Sequence, residues 1–246
     1  MKILVPIKRV VDPYARVKPL PDGSGMDVSS VKFEINPFDE IAMEEAVRIK
    51  ESDSSVTIIA VSIGGPECEE QLRKALAIGA DSAILVETTA QYDSLGIAKE
   101  LQAIVAQESP DLVIMGKQAT DFDSNQVAQM LAARLDWPQA TFASKVVIGS
   151  GSVAVTRETD TGEETVQMPL PCLITTDLRL NEPRYIALPG IIRARSKPLE
   201  KRSPQITSQP KTRTVRIDAP PARAAGRKVG SVEELVAALK SAGALA

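Results

Sequence analysis

Residues 111–126, DLVIMGKQATDFDSNQ, hold the densest set of groups in this chain that could do chemistry. The apolar run 112–115 reads as a buried strand, and Gly116 ends it. A polar loop follows before the apolar spacing of Val127, Met130 and Leu131 starts a helix. Asp123, Ser124 and Asn125 are all suited to cap that helix, whose free N–H groups and partial positive charge attract an anion. In an open α/β sheet a ligand sits outside the carboxyl ends of the strands, where this loop falls. A phosphate would suit the place, with Lys117 as a further cation. The same residues also describe an ordinary capped strand–turn–helix connection, since no Walker or GxGxxG spacing accompanies them.

The chemistry that composition excludes is as informative. None of the 246 residues is histidine, which removes Ser–His–Asp and Cys–His catalysis and the usual zinc and two-histidine iron sites. No catalytic residue and no metal ligand is assigned. Cys68 and Cys172 stand far apart in apolar surroundings and read as packing residues in a reducing compartment. No run has the length of a membrane span, and MKILVPIKRV enters a strand directly rather than a signal or transit peptide. A bacterial cytoplasm is the expected location, with the mitochondrial matrix open for a processed chain.

The elements that must position the loop follow in order. Residues 2–7 read as a central parallel strand. Residues 12–35 form a Pro/Gly/Asp-rich excursion ending in alternating VKFEI, expected as a hairpin over a sheet edge. A helix then begins, with Asn36 as cap, Pro37 in the first turn, and Ile41, Ala42, Ala46 and Val47 on its buried stripe. Strands over 56–63, 82–86 and 112–115 alternate with helices over 69–78 and 94–106. This alternation predicts a doubly wound parallel sheet. Beyond residue 140, short alternating runs at 145–148, 153–157 and 165–168 predict an antiparallel meander on the sheet edge, before a last strand at 173–176.

Composition shifts again over 179–227, which hold 12 Lys/Arg against 3 Asp/Glu and 7 of the 17 prolines. That predicts a basic extended arm on an acidic body. At its end Ser231 and Glu234 form a capping box for a short helix carrying Leu235, Val236 and Leu239. The arm's one aromatic, Tyr185, and a net charge of −3 argue against nucleic acid and for an acidic protein partner. The organisation expected is an α/β domain over 1–178 with its meander near 143–170, a partner-recognition region over 179–200, and the arm over 201–246.

Residues 177–185, DLRLNEPRY, followed by Leu188 and Pro189, resemble the signature of the electron-transfer flavoprotein β-subunit family. The likeness extends to VPIKR at 5–9, NPFDEI at 36–41, GKQA at 116–119, DSNQ at 123–126, DWPQ at 136–139, TFAS at 141–144, and Ala225-Gly226 with ELV at 234–236. It implies an adenine-nucleotide alpha-hydrolase-like fold and an electron carrier rather than a catalyst. It further implies a heterodimer with an α subunit holding most of the FAD, electrons arriving from acyl-CoA and other flavin dehydrogenases, and a membrane quinone oxidoreductase as acceptor, with no insertion into the membrane.

By the same resemblance the β subunit holds AMP. Its site would be Pro6, Asn36, Pro37, Phe38, Asp39, Ile63, Gly116, Lys117, Gln118, Ala119, Thr120, Asp121, Phe122, Asp123, Ser124, Asn125, Gln126 and Val127. Tyr14 and Phe38 would approach the FAD. Leu188 would anchor a recognition loop with Pro189, Ile191, Arg193, Arg195 and Lys197, and Arg157 and Glu158 would form a pair governing motion of the FAD domain. Gly190 stands where many members have Asn, and Arg193, Arg195 and Ser196 replace a lysine-rich run. Phe122 replaces a glycine of the bifurcating members, whose β subunit carries a second FAD, and is expected to narrow the pocket in favour of AMP. A stand-alone adenine-nucleotide binding protein is a second alternative; the basic arm argues against it, as the missing glycine-rich phosphate loop argues against an adenylate-handling enzyme.

Overall fold

Strand β1 (Lys2–Pro6) is buried along nearly its whole length and lies beside the middle strand of a nine-stranded sheet. The computed structural model describes residues 1–207, 209–223 and 225–245. The remaining elements follow in chain order: β2 (Arg9–Val11), β3 (Lys18–Pro19), β4 (Met26–Asp27), β5 (Phe33–Ile35), α1 (Pro37–Ser52), β6 (Thr57–Gly64), α2 (Glu69–Ile78), β7 (Ser82–Glu87), α3 (Ser94–Glu108), β8 (Leu112–Gly116) and α4 (Val127–Leu135). Then come β9 (Gln139–Ile148), β10 (Ser152–Thr159), β11 (Gly162–Pro169), β12 (Cys172–Thr176), α5 (Leu188–Ala194), β13 (Leu199–Arg202) and α6 (Val232–Ser241). The chain divides into two units, Met1–Val17 with Val28–Thr214, and Lys18–Asp27 with Val215–Ala246.

In the first unit the sheet order is β11-β10-β9-β12-β8-β1-β6-β7-β13. The strands from β9 through β12, β8, β1, β6 and β7 to β13 are all parallel to their neighbours. The expected doubly wound sheet is present, and β9, β10 and β11 form the expected antiparallel meander. Period-two alternation explains why the central strands are apolar throughout. Ile3, Val5, Ile58, Ala60 and Ile114 pack with α1 and α2 on one face, while Leu4, Ile59, Val61, Val113 and Met115 pack with α3 and α4 on the other. Cys68 and Cys172 are buried in the first of these layers, where desolvation raises both thiols, Cys172 to about 11, so neither is a ready nucleophile. The chain winds outward from β1 through β6 to β7, then crosses to β8 and β12 on the other side. The reversal lies between β1 and β8, so a crevice opens between their carboxyl ends.

Three expectations change. The excursion is not one hairpin: β2 pairs antiparallel with β5, and β3 pairs with β4 in the other unit. The arm begins later than residue 179 or 201, after β13. The segment Leu199–Arg202 joins the sheet parallel to β7, and the buried carboxylate of Glu100 then accepts the amides of Gln205 and Ile206 at 2.9–3.1 Å. LEKR reads as solvent-exposed because an edge strand with charged side chains leaves no apolar pattern. The third change is α5, a seven-residue helix inside the basic stretch, seated on α2 so closely that a Cβ on Gly190 would lie 2.8 Å from the Ala77 carbonyl oxygen.

The second unit holds the small β3–β4 hairpin, with Ile217 N–H donating to the Gly23 carbonyl at 2.9 Å. In α6, Ser231 Oγ accepts the Glu234 N–H at 3.2 Å as the capping box predicts, while the Glu234 carboxylate takes the Gly230 amide. Val232, Leu235 and Val236 of this helix are exposed.

Candidate functional site

Pro6, Ile63 and Gly116 sit at or beside the carboxyl ends of β1, β6 and β8, three adjacent strands at the reversal point. Asp39, in the first turn of α1, joins two of these ends. Its carboxylate is 5% exposed and accepts the Lys8 N–H at 2.9 Å and the Gly116 N–H at 3.0 Å. Burial outweighs these bonds and the nearby Asn36 side chain, and pushes the Asp39 carboxyl up to about 7. Gly116 is needed here. A Cβ would lie 2.4 Å from Asp39 Oδ1 and 2.7 Å from Phe38 Cβ.

Asn36 occupies the cap position of α1 but makes no side-chain capping bond. Instead its buried amide crosses to the loop after β8, donating to the Gln118 carbonyl at 2.8 Å and accepting the Thr120 N–H at 3.2 Å. The loop also folds on itself through Asp123 N–H to the Ala119 carbonyl, 2.8 Å, with left-handed backbone at Asp123 and Asn125. These bends turn the expected caps away from α4. Asp123 accepts from the Gln118 amide and Asn125 from the Gln129 amide, and Gln126 takes the cap position with no side-chain bond. The first amides of α4 therefore keep their donors, which suits an anion.

Lys117 is not the extra cation expected. Its ammonium donates to Asp177 at 2.6 Å and stands 5.3 Å and 5.2 Å from the Phe38 and Phe142 ring centres. Lys8 reaches the loop instead, bonded to Asp121 at 2.7 Å and lying 4.8 Å over Phe122. The Phe122 ring is 75% exposed, so it does not narrow the interior by filling it. Ser124 is exposed and Val127 half-buried at the mouth of this loop. Of the two aromatics assigned to the flavin side, Phe38 is buried and Tyr14 is 95% exposed. Lys8, Asp177 and Gln129 were absent from the expected set, because their partners lie on other segments or are chosen by the loop's left-handed turns.

A second cluster holds the signature segment against α1. Arg184 forks onto the buried Glu44 carboxylate at 2.8 and 3.1 Å and onto Glu51 at 2.6 and 3.0 Å. Asn181 donates to Glu45 and to the Ile41 carbonyl. Beyond it Leu188 is 68% exposed at the start of α5, beside exposed Pro189, Ile191, Ile192, Arg193 and Arg195. Lys197 departs from the expected charged rim, since its ammonium is turned inward to the Leu76 and Ala80 carbonyls at 2.9 and 2.6 Å. Arg157 and Glu158, the residues assigned to motion of the FAD domain, bond to separate groups. As neighbours on β10 they face opposite ways, Arg157 to Thr141 and Glu164, Glu158 to Arg179. Among the described residues no acidic, Cys or His cluster could hold a metal ion, and no helix is long and apolar enough to cross a membrane.

Residues 26–207 match the electron transfer flavoprotein domain family. The chain is 51% identical over 243 residues to the electron transfer flavoprotein subunit beta of Dictyostelium discoideum, covering 98% of this chain and 97% of that protein. This chain belongs to the electron transfer flavoprotein β-subunit family. The family's bacterial member from Bradyrhizobium diazoefficiens is 47% identical over 98% of both chains, and the Homo sapiens member 45% identical over 99% of this chain and 98% of its own. The family is named for carrying electrons rather than for catalysis. The signature segment 177–185 lies within the matched span, together with the strand-end loop and α5.

Proposed function

We propose that this chain pairs with an α subunit to form an electron carrier that takes electrons from acyl-CoA or other flavin dehydrogenases and delivers them to a membrane quinone oxidoreductase. FAD, held mainly by the α subunit, would supply the redox centre. The β chain would hold AMP between the ends of β1, β6 and β8. The observation that carries this reading is the uncapped start of α4 at the sheet's reversal point, behind a loop held by the buried Asn36 and Asp39. There the α4 amides would receive the phosphate, and Pro6, Ile63 and residues 36–39 and 116–127 would surround the nucleoside. Tyr14, almost fully exposed, is free to meet a flavin brought by the partner. Leu188 and its exposed apolar neighbours form the anchor of a small transient interface, with Arg193 and Arg195 as its charged rim.

Nucleotides released by denaturing the co-purified αβ complex test the reading. One FAD and one AMP per dimer are expected. Two FAD and no AMP would move the chain to the bifurcating members, a result the outward position of Phe122 leaves sterically open. A FAD-loaded β chain obtained without any α subunit would overturn the shared-flavin arrangement.

A further inference from the structure

Helix α5 has seven residues, too few to hold its shape by its own hydrogen bonds. Yet it carries the exposed Leu188, Ile191 and Ile192. Two reciprocal caps join it to α2, beside the packing of its buried Gly190 and Ala194. Arg73 of α2 donates through one guanidinium nitrogen to the Ala194 and Lys197 carbonyls, both at 3.0 Å, at the carboxyl end of α5. Lys197, three residues past α5, returns the contact by donating to the Leu76 and Ala80 carbonyls at the carboxyl end of α2. Each cation meets the negative end of the other helix, where carbonyls lack intrahelical donors. Gly190 lets the two backbones approach, since any side chain there would press on the Ala77 carbonyl.

We infer that Arg73, Lys197 and Gly190 are positioning residues for partner recognition, a clamp that fixes the direction in which α5 presents Leu188. This rests on the recognition role proposed above for α5. Arg73 is held by helix carbonyls and by Glu69 at 3.3 Å, and Lys197 by helix carbonyls, so the role inferred for them is to place α5 rather than to meet the partner. Breaking the clamp leaves the apolar anchor in place but lets α5 sample other orientations, so the competent fraction falls and apparent affinity falls with it.

The test uses the assembled αβ complex as acceptor for an acyl-CoA dehydrogenase of the same organism. Arg73→Met and Lys197→Met each keep an aliphatic stem and delete the cation. Each is expected to raise the KM for the carrier about five- to tenfold, with kcat at saturation and bound nucleotide unchanged. Hydrogen exchange at the amides of 190–196 should quicken in both variants, and Arg73→Lys should recover part of the KM. Leu188→Ala runs alongside. If it raises KM while both clamp variants stay within about twofold of the parent, the clamp is refuted and the recognition reading stands. If Leu188→Ala has no effect, the recognition reading itself fails. A fall in kcat and nucleotide content together with KM would mark a general structural role and also refute the inference. Should one variant not assemble, the other breaks the same clamp from the opposite side.

Discussion

Replacing Arg184 with Met removes the cation that fastens the signature segment to α1 while keeping its aliphatic bulk. Two carboxylates lose a partner, and they differ. Glu51 is 57% exposed, so its bridge is screened and contributes about 0–1 kcal/mol. Glu44 is 3% exposed, and stranding a buried charge costs about 3–5 kcal/mol in the general case. Arg48 remains 2.7 Å from Glu44, and Arg184 is itself about one-third exposed, so the lower part of that range applies. The expected loss is about 2–3 kcal/mol. Urea unfolding of the chain, followed by the fluorescence of its only tryptophan, Trp137, measures it. Burial would raise the Glu44 carboxyl, but the bonds from Arg184 and Arg48 outweigh burial and hold it below its ordinary value. The stabilisation is therefore present above the unfolded pKa and lost as pH falls through the lower folded one. Adding Glu44→Gln to Arg184→Met removes the stranded charge and should recover about 1 kcal/mol or more. A double variant no more stable than Arg184→Met alone would refute the buried-charge argument.

Three further outcomes are expected. Gly116→Ala drives a methyl into Asp39 and Phe38 and should cost about 1–3 kcal/mol with reduced nucleotide retention, read by melting and by released-nucleotide analysis. Glu100→Ala strands the Gln205 and Ile206 amides and should free the chain after β13, so that trypsin cleaves after Arg202 faster than in the parent. For Asp39 the sign is the reverse of Glu44. Its folded pKa is raised to about 7, so its protonation favours folding below the unfolded carboxylate value and that contribution disappears as pH rises toward 7. Asp39→Asn should therefore flatten the decline in melting temperature across that window; an unchanged slope would show that another group causes it.

The sequence by itself determined the alternation of buried strands with amphipathic helices, the meander at one edge and the capped terminal helix. Those features are written in local periodicity, in Pro and Gly punctuation and in one capping box, each decided within about ten residues of chain. The motifs also carried the family, because several fall in order along nearly the whole length. The tertiary structure alone decided which partners the polar and charged groups take. Lys117 is drawn to Asp177, Lys197 to the end of α2, and Asn36 to a loop more than eighty residues away rather than to its own helix. It also decided that the charged tetrapeptide Leu199–Arg202 completes the sheet beside β7. The physical reason is common to all of these. A hydrogen-bonding group takes the best partner that three-dimensional packing brings within about 3 Å, and that partner leaves no trace in local spacing.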